Sequence, residues 1–308
     1  MRLLVPHATL LAYTHYPTIS TAMIGSLGTD RPTVHDAGRS GRAWLLAKRA
    51  YFYLCWYLYG LAGRCLDASL VNSTWTRDHL RHVWGPTVPL AIVYPPCAVA
   101  ALARVPLAAP ARARRRLIVS LAQFRPEKEQ DKQLAAFAQF VADSPKRADG
   151  ATLVVAGGAR HDLDWARVHQ LERLADDLGI RPRVTFLVNA PFDEIAELLS
   201  NAAVGLHTMW NEHFGIGVVE FMAAGVVPIA HASGGPLTDI VGPSLATDEP
   251  VGFLADTVAE YAAALAQALP EEGDARAARR IAAMRAAARQ RAHLFSDDVF
   301  AEQISSML

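Results

Sequence analysis

Cysteine is scarce in this sequence: 308 residues hold only Cys55, Cys65 and Cys97, with no CxxC pair. So small and odd a set excludes a disulfide framework and a cysteine-built zinc site, and it fits a reducing compartment. Net charge is missing too. The 30 basic residues balance 30 acidic ones, and charged residues make up 19%. That balance excludes an acidic tail protein and a generally basic nucleic-acid binder, so no nucleic-acid partner is expected. Lysine is the rarer cation, confined to Lys48, Lys128, Lys132 and Lys146. Met1 to Leu4 does not open the apolar run of a secretory signal. What is abundant is apolar: 52% hydrophobic residues supply a substantial core, and the length suits one large domain or two ordinary ones.

The middle of the chain alternates strand-like and helix-like segments, the mark of α/β architecture. Leu117 to Leu121 is a buried-strand run, followed by Leu134, Phe137, Ala138 and Val141 at helical spacing. Thr152 to Ala156, Val184 to Val188, Val204 to His207 and Val226 to Ala230 continue the strands, and Gly179 and Gly225 end helices between them. This is the rhythm of a doubly wound domain. In the first hundred residues, Leu10 to Thr14, Asp67 to Val71 and Leu90 to Val93 read as strands, with a turn at Tyr94-Pro95-Pro96. The Ala-, Pro- and Arg-rich stretch Leu102 to Arg116 reads as a linker. The expected division is therefore an N-terminal Rossmann-like domain over 1–105, a second over 106–269, and a helical tail over 270–308.

Ala50 to Ala62 (AYFYLCWYLYGLA) holds six aromatics and no charge, with Lys48 and Arg49 before it and Arg64 after. At 13 residues it falls short of the roughly 20 that span a bilayer. It reads either as a helix lying in the membrane interface or as a core helix at a domain boundary.

Chemistry concentrates in Val204 to Gly225, where a strand, a polar loop and a glycine-led helix follow in order. A helix start of this kind aims backbone N–H groups and a positive dipole end at an anion. Glu212 and Glu220 flank the loop with seven residues between them. Carboxylates accept hydrogen bonds from vicinal hydroxyls, so two of them beside a phosphate-binding helix suggest a sugar nucleotide. Glu220 would take the ribose and Glu212 the hexose. By itself the spacing is unspecific.

The loop resembles the E-x7-E motif of the retaining glycosyltransferases of the GT-B fold, a family rich in mannosyltransferases. Gly157-Gly158 after an apolar strand and Ser233-Gly-Gly-Pro236 resemble two further loops of that family. Five longer phrases resemble one eukaryotic branch, the dolichol-linked-oligosaccharide α-1,2-mannosyltransferases. They are His15-Tyr-Pro-Thr-Ile-Ser20, Val71-Asn-Ser-Thr-Trp-Thr76, Tyr94-Pro-Pro-Cys97, Gln123-Phe-Arg-Pro-Glu-Lys128 and Glu212 to Glu220. The resemblance runs from about Leu10 to about Leu269. It implies two Rossmann-like domains facing a cleft, the N-terminal one incomplete, since no Gly-rich acceptor loop precedes His15.

Carried over by position, the resemblance makes His15, Lys128 and Glu212 the catalytic set. Arg125 and Lys128 would bind the donor diphosphate. Gly157 and Val188 would lie beside the base, the backbone amides of His213, Phe214 and Gly215 beside phosphate, and Glu220 beside ribose. The family places its arginine five residues before the lysine, where this chain has Gln123, so Arg125 stands as a substitute. A family basic residue after the G-G-P element is replaced by Leu237. The implied reaction moves mannose from GDP-mannose to a dolichol-linked oligosaccharide with retained configuration, and no residue is assigned as a nucleophile. It implies no cofactor and no metal. It further implies a membrane surface as a partner, other endoplasmic-reticulum mannosyltransferases as neighbours, and a place on the cytosolic face of that membrane. Asp162-Leu-Asp164 is a literal DxD, but it stands before a helix expected over Trp165 to Leu178, where first-turn acids cap. The competing readings are a non-catalytic nucleotide-sugar-binding module associated with membrane, and a GT-B enzyme using another nucleotide sugar.

Overall fold

The computed structural model describes residues 9–27, 42–104, 116–242 and 249–307. Met1 to Leu4 and most of the expected linker, 105–115, lie outside the described residues. The chain forms two compact units that divide between Tyr94 and Pro95.

In the first unit the order is β1 (Leu11–Thr14), α1 (Thr21–Ser26), α2 (Arg42–Gly63), β2 (Ala68–Val71), α3 (Thr74–Trp84) and β3 (Leu90–Ile92). The strands pair in parallel in the order β1-β2-β3, with Leu11 opposite Ala68 and Ser69 opposite Leu90. Asp67 accepts the Leu10 amide at 2.8 Å, and the Tyr13 hydroxyl donates to the Val93 carbonyl at 2.8 Å, which fixes the two outer strands. Ser20 and Ser73 cap α1 and α3 through their side-chain oxygens. Trp84, Leu80, Val83 and Val71 form the buried cluster under α2 and α3. The aromatic segment expected over 50–62 is the C-terminal part of a longer helix. Lys48 lies inside it rather than ending it, with its Nζ 4.7 Å over the Trp44 ring.

The second unit opens with α4 (Val99–Leu102) and continues β4 (Leu117–Leu121), α5 (Gln130–Asp143), β5 (Thr152–Gly157), α6 (Asp162–Asp177), β6 (Val184–Val188), α7 (Phe192–Asn201) and β7 (Val204–His207). It then runs α8 (Ile216–Ala223), β8 (Val227–His231), β9 (Phe253–Ala255), α9 (Val258–Ala268), α10 (Ala275–Ala292) and α11 (Asp297–Met307). The described strands form a parallel sheet in the order β6-β5-β4-β7-β8-β9. β4, β7 and β8 are buried almost throughout, as a parallel sheet covered on both faces requires. Residues 95–102 belong to this unit: α4 packs on α8, and the Cys97 amide donates to the Phe295 carbonyl at 3.0 Å. The C-terminal helix α10 packs on α8 and β8 and places Met284 and Ile281 in the main core. The helix expected from Trp165 starts three residues earlier, because the Asp164 carboxylate accepts the Arg160 and His161 amides at 2.8 and 3.3 Å and completes a capping box.

Candidate functional site

Strand order positions the site. From β4 the chain builds outward through β5 and β6 on one side, then returns to build β7, β8 and β9 on the other. The loops after β4 and β7 therefore part at their carboxyl ends, where doubly wound sheets hold their ligands. Lys128 ends a single 3-10 turn, Pro126–Lys128, in the first of these loops, and Glu212 lies in the second. Their side chains meet across 84 residues of sequence, Lys128 Nζ standing 2.7 Å from Glu212 Oε2.

Buried polar bonds hold the two loops in register. The Thr208 hydroxyl lies 2.8 Å from the Lys128 carbonyl and 3.1 Å from that of Glu129, and it accepts from Gln133 Nε2 at 2.9 Å. Both Thr208 and Gln133 are buried, where an unmet polar group costs about 1–3 kcal/mol. His207, the last residue of β7, sets its Nε2 3.2 Å from the same Glu212 oxygen. Its carbonyl accepts the buried Tyr261 hydroxyl at 2.8 Å. Burial pushes the Glu212 carboxyl up, but the hydrogen bonds and charges of His207 and Lys128 together outweigh it and hold the group well below the ordinary carboxylate range. Glu212 is an anion at neutral pH.

The Ser233-Gly-Gly-Pro236 loop clamps Glu212 from the next strand. Asn211, at φ 51°, donates its amide to Ser233 Oγ at 2.7 Å, and Gly235 donates to the Glu212 carbonyl at 2.8 Å. Gly234 has φ 59°, and a Cβ there would stand 2.2 Å from the Glu212 carbonyl oxygen, so no side chain fits. Ser233 Oγ also lies 2.9 Å from His231 Nδ1, and the other ring nitrogen of His231 stands 3.0 Å from Asp256. After Phe214, buried edge-on against Phe295 at 5.4 Å, Gly215 adopts φ 117° and starts α8. Glu220 lies in the second turn of α8, half-buried, and burial raises its carboxyl above the ordinary value. Its charge reaches Cys97, whose thiol is pushed up to about 12, first by burial and then by Glu220 and Asp297.

The far side of the crevice comes from β5 and β6. Val188 pairs with Gly157 at the end of both strands. Asn189, at φ 58°, extends that pairing by one rung: its side-chain oxygen accepts from the Ala159 amide and its nitrogen donates to the Ala159 carbonyl, both at 2.9 Å. The Phe124 amide donates to the Gly158 carbonyl at 3.1 Å and brings the Arg125 loop alongside. The Asp164 carboxyl is lowered by the Arg160 amide first, and the Arg125 charge adds to that.

Lys128, Glu212 and the His213 amide are thus brought together; that amide donates to Glu212 Oε1 at 3.3 Å. Gly157 and Val188 form a separate wall. His15 belongs to the first unit, exposed at the carboxyl end of β1, with its ring 4.8 Å from Tyr13 edge-on and its carbonyl accepting from Thr76. Sequence reasoning missed His207, Thr208 and Gln133. The signal available for His207 and Thr208 was a polar pair closing an otherwise apolar strand. Among the described residues no group of three or more His, Cys, Asp or Glu side chains is arranged to hold a metal ion.

Comparison with known proteins gives two family matches: "Glycosyl transferases group 1" over residues 108–290 and "ALG11 mannosyltransferase N-terminus" over residues 1–84. A human protein named "GDP-Man:Man(3)GlcNAc(2)-PP-Dol alpha-1,2-mannosyltransferase" is 42% identical over 94% of this chain and 58% of its own length. The mouse protein of the same name is 44% identical over 84% of this chain and 53% of its own. The chain spans about half the length of the curated relatives it matches. Among solved structures, Anabaena HepE in complex with UDP and glucose superposes with a TM-score of 0.66 at 18% identity, over 99% of this chain and 72% of that one. The fold is GT-B.

Proposed function

The chain belongs to the group 1 glycosyl transferases, and from that premise we propose that it moves mannose from GDP-mannose to a dolichol-linked oligosaccharide in N-glycan precursor assembly, forming an α-1,2 linkage. The observation that carries this reading is the Lys128–Glu212 pair at the switch point of the sheet, in a chain so similar to proteins named for that transfer. The bond from the mannose anomeric carbon to the donor phosphate breaks, and a bond from that carbon to an acceptor hydroxyl oxygen forms. The hydroxyl proton passes to the departing diphosphate, which leaves as GDP.

Negative charge grows on that leaving group, so cations fixed beside it lower the barrier. Lys128 supplies one and Arg125 the second, with the amides of His213, Phe214 and Gly215 at the start of α8 adding donors. Glu212, ionised and held by His207, accepts hydroxyls of the hexose. Glu220 accepts those of the ribose, and Gly157 and Val188 line the base. The resemblance gives His15 a role beside the transferred sugar. No residue acts as a covalent nucleophile, and the chemistry calls for no metal. The setting is the cytosolic face of the endoplasmic reticulum, beside other mannosyltransferases.

The test is transfer of labelled mannose from GDP-mannose to the trimannosyl lipid-linked acceptor by the purified chain. Lys128→Ala should lower turnover at saturating donor by on the order of a hundredfold or more, and Glu220→Ala should weaken GDP binding in calorimetry by roughly tenfold. Binding of GDP-mannose without any transfer would replace the enzyme by a binding module, and preference for a uridine donor would replace the donor.

A further inference from the structure

His231 ends β8 with only 2% of its surface exposed, and no part in donor binding has fallen to it so far. Both of its ring nitrogens meet polar groups. Nδ1 lies 2.9 Å from Ser233 Oγ. Nε2 stands 3.0 Å from Asp256 Oδ1, at ion-pair distance but off the line of a hydrogen bond. Strand pairing sets this arrangement. His231 lies opposite Ala255 on β9, and the Ala232 amide donates to the Ala255 carbonyl at 2.9 Å, so Asp256 follows directly beside the ring.

The hydrogen bonds fix where this ring carries its proton. A backbone amide can only donate, and that of Asn211 donates to Ser233 Oγ at 2.7 Å. The proton of the hydroxyl itself is then left for His231 Nδ1, which must carry a lone pair to accept it. The ring proton therefore sits on Nε2, the nitrogen facing the Asp256 carboxylate. Burial, first of all, holds the imidazole below its usual 6.5, and the charges of Lys132 and His207 act in the same direction. Asp256 and Glu129 oppose them, and Glu260 is a further acid within reach. The ring is neutral at pH 7.

We propose that His231 is a positioning residue for the donor site: its Nδ1 lone pair aims the Ser233 hydroxyl, which holds the Asn211 amide and so presents the Glu212 carboxylate to the sugar. The Gly235 amide grips the Glu212 carbonyl at 2.8 Å from the same loop, so the clamp has two points. His231 acts through Ser233 and not on the donor itself. When the ring takes a second proton, Nδ1 becomes a donor and the Ser233 hydroxyl must turn its own proton away. The hold on Asn211 then slackens. The inference rests on the reading of Glu212 as the carboxylate that receives the hexose, and it adds an acid limit to that role.

The experiment is calorimetry of the full chain with GDP and with GDP-mannose, since only the second carries the hexose that meets Glu212. His231→Leu removes the acceptor and should weaken GDP-mannose binding by roughly tenfold while moving GDP by less than about twofold. Ser233→Ala should do the same, and the double variant should be no worse than either, because both act through one hydroxyl. His231→Asn keeps an acceptor near the Nδ1 position and should restore the wild-type preference for GDP-mannose at pH 7. In the wild type that preference should fall as pH drops through the imidazole's range below 6.5. His231→Asn should lack this step, and titration of the phosphates, common to both proteins, cancels in the comparison. Equal loss of both ligands, additive effects in the double variant, or an acid step that survives in His231→Asn overturns the proposal. So does nitrogen NMR that finds the His231 proton on Nδ1 at pH 7. A wild type that gains no affinity from the mannose sinks the reading of Glu212 instead. Amide exchange at Asn211, expected to quicken in His231→Leu and not in His231→Asn, then decides the positioning role by itself, and unchanged exchange overturns it.

Discussion

Helices α2 and α8 are both dominated by apolar residues, yet the fold treats them in opposite ways. In α8, Val218, Val219, Phe221, Met222 and Ala223 are buried and the helix packs into the core with its start at the site. Its one carboxylate, Glu220, sits among those apolar neighbours and is raised by their exclusion of water. In α2 the leucines on one face meet solvent and no carboxylate is present at all. Apolar composition therefore does not distinguish a helix that builds the protein from one that presents a surface. Burial does: α8 is packed on most of its sides, whereas α2 has a packed side and a bare one.

Substitutions can break or sharpen that contrast. Val219→Asp would bury an unpaired charge in α8 and should cost about 4 kcal/mol or more, enough to abolish a cooperative urea transition. Gly234→Ala would press a methyl group on the Glu212 carbonyl at a left-handed position and should lower stability by about 2–4 kcal/mol in the same titration. Acid should separate the two glutamates that flank the loop. The Glu212 carboxyl is held below its usual 4.5 in the folded state, so its contribution is present above 4.5 and lost as pH falls below it. Glu220 is raised, so its charged form opposes folding as pH rises. Urea midpoints measured from about pH 7 down to about pH 3 should fall less steeply for Glu212→Gln than for wild type. Leu58→Glu on the bare face of α2 should shift stability by less than about 0.5 kcal/mol, and a larger loss would mean the face is packed after all.

The second unit's strands were readable because each is a short apolar run closed by a glycine or a polar residue, as in Leu117 to Leu121 and Val204 to His207. Glu212 is legible from its strand–loop–helix setting and Lys128 only through the resemblance, and nothing in either local sequence says that loops 84 residues apart will touch. Thr208 and Gln133 stayed hidden for the same reason: their partners are set by the order in which strands enter the sheet. The full length of α2 is not legible in the sequence because Lys48 and Arg49 interrupt its apolar run. In the fold Lys48 lies over Trp44 and Phe52, and Arg49 donates to the Leu27 carbonyl, so both cations continue the helix.

The ion pair between Lys128 and Glu212 also bears on what the crevice refuses. Each charge answers the other at 2.7 Å. A small free anion drawn to Lys128 strands the carboxylate with His207 alone, and a free sugar at Glu212 leaves the ammonium without its counter-ion. A molecule that joins a diphosphate to a polyhydroxyl ring compensates both partners at once. On the proposed reading, the pair favours the union of phosphate and sugar over either half, since only the joined molecule answers both charges.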